Sequence, residues 1–170
     1  SLGLPGLDGA ALAAELVRHT GGNPLYALET LKARLLLPSL AGRMPQPASV
    51  GALIERRLRQ LSPEALALAR VAAVASVDFD IGIAEQLLGC GPLALADRWA
   101  ELERAQVLRD DAFAHDLVFE ATLRTLPRPV AARLHGELAV LLEARGSEPA
   151  RIAEHWQAAG QPLRAVPHWV

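Results

Sequence analysis

The sequence predicts a mainly α-helical fold with a single small β-hairpin. Apolar residues recur at helical spacing through most of the 170 residues, and prolines and glycines separate these stretches. A strand-like pattern flanks a tight turn at one place, Asp110-Asp111. The composition, with 51% hydrophobic and 21% charged residues, is that of a globular chain that can bury a core.

The first 37 residues predict a pair of helices separated by a glycine-rich turn. Apolar spacing over residues 12–17 indicates the first helix, and Gly21-Gly22-Asn23 ends it. Pro24 opens the second helix, because a proline at the first helical position gives up no hydrogen bond. Residues 38–48 contain three prolines and one glycine, which predicts a linker.

Residues 49–126 predict a winged-helix domain. Its expected helix starts are caps or prolines that suit a first turn, namely Ser49, Ser62-Pro63, Asp80 and Pro92. Residues 106–109 and 112–115 then form the two strands of the hairpin around Asp110-Asp111. Helices followed by a small hairpin are the element order of a winged helix. Asp116 is expected to cap the helix after the hairpin.

Residues 127–170 predict the start of a helical-repeat region that is truncated at its end. Pro127 and Pro129 begin a long helix with Val130 on its inner face, and Gly146 ends it. Residues 149–159 and 162–170 form two further helices with a tight turn between them. Such antiparallel α-hairpins are the unit of TPR-like solenoids. Trp156 and Trp169 are expected to pack between these helices, and Trp99 in the core.

No segment has the signature of an independent catalyst. The sequence contains no GxxxxGK[ST] phosphate-binding loop (Walker A) and no apolar strand that ends in paired acids (Walker B). Cys90 is the only cysteine, and the five histidines do not fall at metal-ligand spacing. We therefore expect no catalytic residue, no metal site and no enzymatic activity from this chain alone.

Charge and hydropathy limit the expected partners and location. The formal net charge is −2, which gives no electrostatic attraction to nucleic acid or to anionic membranes. No apolar run has the length of a membrane span, and no signal peptide is recognisable. The chain begins at Ser1 and ends at Val170 within a helical pattern. We therefore expect a piece of a longer cytoplasmic protein.

Two segments resemble motifs of the STAND-class NTPases. Residues 21–29, GGNPLYALE, resemble the glycine–x–proline motif in the lid of these proteins. Residues 113–121, FAHDLVFEA, resemble the "MHD" segment of their winged-helix domain. The class includes the NB-ARC proteins, in which methionine is usual at the position of Ala114. The resemblance is therefore greater to MalT/LuxR-type and cyclase-associated ATPase regulators of bacteria.

The resemblance implies a set of nucleotide contacts and partners. Pro24 would pack against the adenine ring with Asn23 beside it, and His115 would contact the β-phosphate of ADP. The ATP or ADP would be held mainly by an upstream NTPase domain that this chain lacks, so the chain alone needs no cofactor. That domain is the implied intramolecular partner. Self-association in the ATP state, and a protein or small-molecule inducer bound through the helical repeats, are also implied.

The expected function is the regulatory part of a signal-transducing ATPase, within a transcriptional regulator or signalling protein. Two alternatives remain open: a helical-repeat scaffold with no dependence on nucleotide, and a DNA-binding winged helix. Residues 96–104 of the potential recognition helix carry two arginines and three acids, so direct binding to nucleic acid is not expected. It also remains open that Pro24 only starts a helix and that His115 ends a strand and bonds the backbone.

Overall fold

The computed structural model describes residues 50–169 and, before them, positions 13, 14, 16, 17, 24, 27, 28 and 30–32. The chain divides into two compact units, Ser1–Arg59 and Gln60–Val170, and each is described by itself. The predicted linker at residues 38–48 and the predicted cap Ser49 lie outside the described residues.

The first unit is helical at every described position before residue 50, including Pro24. Helix α1 spans Val50–Leu58, and Leu53, Ile54 and Leu58, which share one helix face by their spacing, are buried. The boundary in packing falls after α1, between Arg59 and Gln60. This differs from our prediction, in which α1 belonged to one domain with the rest of residues 49–126.

The second unit begins with three helices and a hairpin, in the predicted order. The helices are α2 (Pro63–Ala75), α3 (Ile81–Leu88) and α4 (Pro92–Arg104). A 3-10 helix, Ser76–Asp78, lies between α2 and α3. The hairpin consists of β1 (Leu108–Arg109) and β2 (Ala112–Phe113), which pair antiparallel with Leu108 opposite Phe113.

The hairpin leads into the remaining helices of the unit. These are α5 (Asp116–Arg124), α6 (Arg128–Arg145), α7 (Pro149–Ala158) and α8 (Pro162–Ala165), followed by a 3-10 helix, Val166–His168. The described residues are thus mainly helical with one two-stranded hairpin, as predicted. None of the described helices is both long enough and apolar enough to cross a bilayer.

Local chemistry accounts for the helix ends. The Ser62 hydroxyl accepts the N–H of Ala65 at 3.1 Å, and the Asp80 carboxylate accepts the N–H of Ile83 at 2.7 Å. Gly89 and Gly146 end α3 and α6 in the left-handed region, where a glycine has no Cβ to clash. The predicted starts at Ser62 and Asp80 and the predicted end at Gly146 are confirmed.

One core joins the beginning and the end of the second unit. Its buried residues come from α2, α3, α6, α7 and α8, and they include Val71, Ile83, Leu138, Ile152 and Trp156. This core crosses the predicted domain boundary between residues 126 and 127. α6 packs against α2 and α3 as well as against α7, so one core is continuous through these helices.

Three predictions about α6 and the last helices are also corrected. Val130 is 46% exposed and Trp169 is 51% exposed, so neither is the packed residue that we expected. The last helix is α-helical only over Pro162–Ala165, because Pro167 has no N–H to continue the helical ladder. Trp99 is half-buried and stacks on Phe79 with the ring centroids 6.0 Å apart.

Candidate functional site

His115 lies at the junction of the hairpin and α5, and it is the N-cap of that helix. Its backbone is extended, with φ −167° and ψ 150°, and its Nδ1 accepts the N–H of Leu117 at 3.1 Å. Our prediction that Asp116 is the cap is wrong. Asp116 is already the first helical residue, so its carboxylate interacts with the helix dipole instead.

This cap fixes which nitrogen of His115 can donate. A ring nitrogen that accepts a hydrogen bond carries no proton, so the neutral ring holds its proton on Nε2. The side chain is exposed, and Nε2–H is therefore free to reach an acceptor on another molecule or domain. The backbone bond that we had left open for His115 is present, and it leaves a second ring nitrogen for another contact.

Aromatic packing holds the segment around His115 in place. The rings of Phe113 on β2 and Phe119 on α5 meet edge to face, with centroids 5.4 Å apart and planes at 76°. The N–H of Ala114 donates to the carbonyl of Val107 at 3.0 Å, which extends the hairpin pairing by one residue. His115 thus lies on a short segment anchored on both sides.

The other predicted nucleotide residues belong to the first unit. Pro24 is helical and exposed, and Asn23 lies outside the described residues. An exposed proline in a helix suits an apolar contact with a planar ring, which is the role that the resemblance implies for it.

A second cluster of polar groups joins three separate parts of the second unit. Asp78 Oδ2 accepts from Arg151 Nη2 at 2.8 Å and lies 3.1 Å from Nε2 of His155. The Nδ1 atoms of His155 and His135 are 2.8 Å apart. Asp78 comes from the 3-10 helix after α2, His135 from α6, and Arg151 and His155 from α7. We call these four residues the Asp78 cluster.

Burial, hydrogen bonds and nearby charge shift the pKa values of Asp78 and His135 in the Asp78 cluster. Burial raises the pKa of Asp78, but the hydrogen bonds from Arg151 and His155 outweigh it and hold the pKa below its usual value. Burial, together with the proximity of His155, lowers the pKa of His135 to about 4. Asp78 is therefore ionised and His135 neutral at pH 7.

No local sequence pattern indicates the Asp78 cluster. Asp78 and His155 are 77 positions apart, and no local spacing connects them. The one available signal was that Arg151 and His155 are four residues apart and so share a helix face. Among the described residues, no three His, Cys, Asp or Glu side chains are arranged to hold a metal ion.

Comparisons of the chain with protein-family models, with curated proteins and with solved structures found no match. The resemblance to the STAND class therefore rests on the two segments at residues 21–29 and 113–121.

Proposed function

We propose that this chain is the regulatory part of a signal-transducing ATPase in a transcriptional regulator or signalling protein. Its role would be to sense whether ADP or ATP is bound and to pass that state to C-terminal helical repeats. The observation that carries the proposal is the placement of His115: exposed, anchored by the hairpin, and holding its free proton on Nε2. Such a group can donate a hydrogen bond to a phosphate oxygen without a change in its own conformation.

The energetics suit a switch. A hydrogen bond from Nε2–H to a phosphate oxygen is worth about 1.5–3 kcal/mol, because the acceptor is charged. That free energy shifts a two-state equilibrium by roughly tenfold or more. The resemblance assigns this contact to the β-phosphate of ADP, with Pro24 and Asn23 at the base. Exchange for ATP would release His115 and allow self-association or exposure of an effector.

The chain itself would supply no catalytic residue, and an upstream NTPase domain would bind ATP and ADP. Asp116 lies in the first turn of α5 and repels an anion there, so His115 could not retain a nucleotide alone. An inducer, protein or small molecule, would act through the helical repeats in the cytoplasm. Membrane binding has no part in the proposal.

Direct binding to DNA is the weaker alternative. The tip of the hairpin carries Asp110 and Asp111, both exposed, and α4 exposes Asp97 and Glu103. These carboxylates would face phosphates in a groove complex, where a basic excess is needed. The scaffold alternative predicts no effect of nucleotide at all.

The test is the dissociation rate of ADP from the longer protein that the proposal requires. His115→Ala removes both the cap and the Nε2–H donor. His115→Ser keeps a capping oxygen but cannot reach as far as the imidazole, so it separates the two roles. We expect both variants to release ADP about tenfold faster, with the thermal stability lowered in His115→Ala only.

Two results would contradict the proposal. ADP release at the wild-type rate from His115→Ser would leave His115 as a helix cap and nothing more. A longer protein with no phosphate-binding loop before Ser1 would favour the helical scaffold with no nucleotide dependence.

A further inference from the structure

A cavity of about 420 Å³ lies on the second unit, between α3, α6 and the α7–α8 turn. Leu87, Val140, Leu141 and Trp156 form its apolar lining. This volume is within the range of small-molecule sites, which are mostly apolar with a few placed polar groups.

Trp156 gives the cavity a fixed wall. Its ring is only 2% exposed, and its Nε1 donates to Glu143 at 2.7 Å. Gly136 lies opposite, and a Cβ at that position would be 3.8 Å from Cζ3 of the tryptophan. The indole is therefore held by the core on one side and by a hydrogen bond at its edge.

The charges that line the cavity are unequal. The Arg133 guanidinium pairs with Glu137 at 2.7 Å and is neutralised. The Arg164 guanidinium carbon lies 4.4 Å from the centroid of the Trp156 ring. Within residues 50–169, no carboxylate pairs with Arg164. The cavity thus combines an apolar lining with a positioned cation, Arg164, that pairs with no carboxylate of residues 50–169.

We propose that this cavity binds a small amphipathic monocarboxylate. The carboxylate would pair with Arg164, whose planar fork matches it in a bidentate manner. The apolar body would cover Leu87, Val140 and Leu141. Contact with Trp156 holds the Arg164 guanidinium in position before a ligand binds, so less side-chain entropy is lost on binding.

Other ligand classes fit less well. A cationic ligand would be repelled by Arg164, and a dianionic phosphate would find only one uncompensated cation. A neutral apolar ligand would pack against the apolar lining but would make no charge contact with Arg164. The proposal does not depend on nucleotide sensing, because His115 does not line the cavity.

The experiment is a titration of the full chain with octanoate at pH 7, followed by calorimetry and by amide chemical shifts. Octanamide and octylamine serve as matched probes, since they keep the apolar body and change only the head group. We expect octanoate to bind about tenfold or more tightly than octanamide, the effect of a bond to a charged group. Octylamine should bind most weakly.

Three variants locate the site. Arg164→Gln should reduce octanoate binding to the level of octanamide, while Arg128→Gln, an exposed arginine outside the cavity, should leave it unchanged. Val140→Asp places a carboxylate in the cavity at a side chain that is 48% exposed, and it should abolish octanoate binding without unfolding α6. Far-UV circular dichroism confirms the fold of each variant.

Equal binding of octanoate and octanamide would overturn the proposal, as would wild-type binding of octanoate to Arg164→Gln. The absence of any calorimetric or chemical-shift response to octanoate at 10 mM would also overturn it. Tighter binding of a leucine-rich hexapeptide with a free C-terminus than of octanoate would assign the cavity to a chain terminus and reject a small molecule.

Discussion

The Nδ1 atoms of His135 and His155 lie 2.8 Å apart, so one ring must donate to the other. Nε2 of His155 faces Asp78, and a carboxylate accepts only. The arrangement that satisfies every atom has His155 Nε2–H donating to Asp78 and His135 Nδ1–H donating to His155. This chain of hydrogen bonds connects α6, α7 and the 3-10 helix after α2.

Asp78→Asn should lower the free energy of unfolding by about 2 kcal/mol, because it leaves His155 without a carboxylate and Arg151 with only its exposed partner Glu154. Denaturation in urea measures the loss. The control is Arg133→Gln, which breaks an exposed pair with Glu137 and should cost less than about 0.5 kcal/mol. Equal effects in the two variants would show that the Asp78 cluster contributes no more than surface charge.

Stability should fall as the pH drops from 6.5 to about 4, because of His135. Burial first, and then His155, lower the folded-state pKa of His135 from 6.5 to about 4. The unfolded chain therefore binds the proton first. The contribution of His135 is fully present above pH 6.5 and is lost on the way down to pH 4.

We expect this loss to be on the order of 1–2 kcal/mol, since the side chain is partly exposed and solvent screens it. Urea denaturation at several pH values measures it. His135→Asn keeps a donor near the Nδ1 position but cannot titrate, so its stability should vary less with pH in this window. A slope identical to that of the wild type would assign the effect to another group.

Ser62→Ala should destabilise the second unit by about 1–2 kcal/mol. The hydroxyl caps α2 at Ala65 and also donates to Glu101 Oε2 at 2.7 Å, which ties α4 to the start of α2. Ser62→Thr keeps both contacts and is the matched control. Thermal unfolding distinguishes the two variants. A loss of stability in Ser62→Thr as large as that in Ser62→Ala would show that the hydroxyl is not the stabilising group.

Two glycine-to-alanine substitutions in and after α6 should have opposite effects. Gly146 has φ +66°, a conformation that costs alanine about 1 kcal/mol. Gly136 is mid-helix, and a Cβ there would meet Ala159 at 3.6 Å, an ordinary contact. Gly136→Ala should therefore stabilise by up to about 1 kcal/mol. Chemical denaturation of both variants measures the change in the free energy of unfolding. A change of the same sign in the two variants would contradict the prediction.

Elements with a local cause could be predicted from the sequence. Ser62, Asp80 and Gly146 determine helix ends through contacts within a few residues, and Asp110-Asp111 determines the hairpin turn in the same way. A single sequence contains these contacts, because the partners are neighbours along the chain.

Features with a distant cause could not be predicted. Trp156 is buried as expected, but the exposure of Trp169 depends on which helices lie against it, and residue spacing does not specify that. The error about which residue caps α5 had a different cause. Aspartate is the commoner cap, but the helix begins at Asp116, so the cap position falls one residue earlier, on His115.

Amide hydrogens of α2 and α7 should exchange with solvent in the same opening event. Val71 and Ala75 share one core with Ile152 and Trp156, so neither side of that core can be exposed without the other. The second unit would then open and close as a single cooperative element. A force applied to the last helices, or a ligand bound there, would therefore affect the first helix of the unit through close-packed side chains.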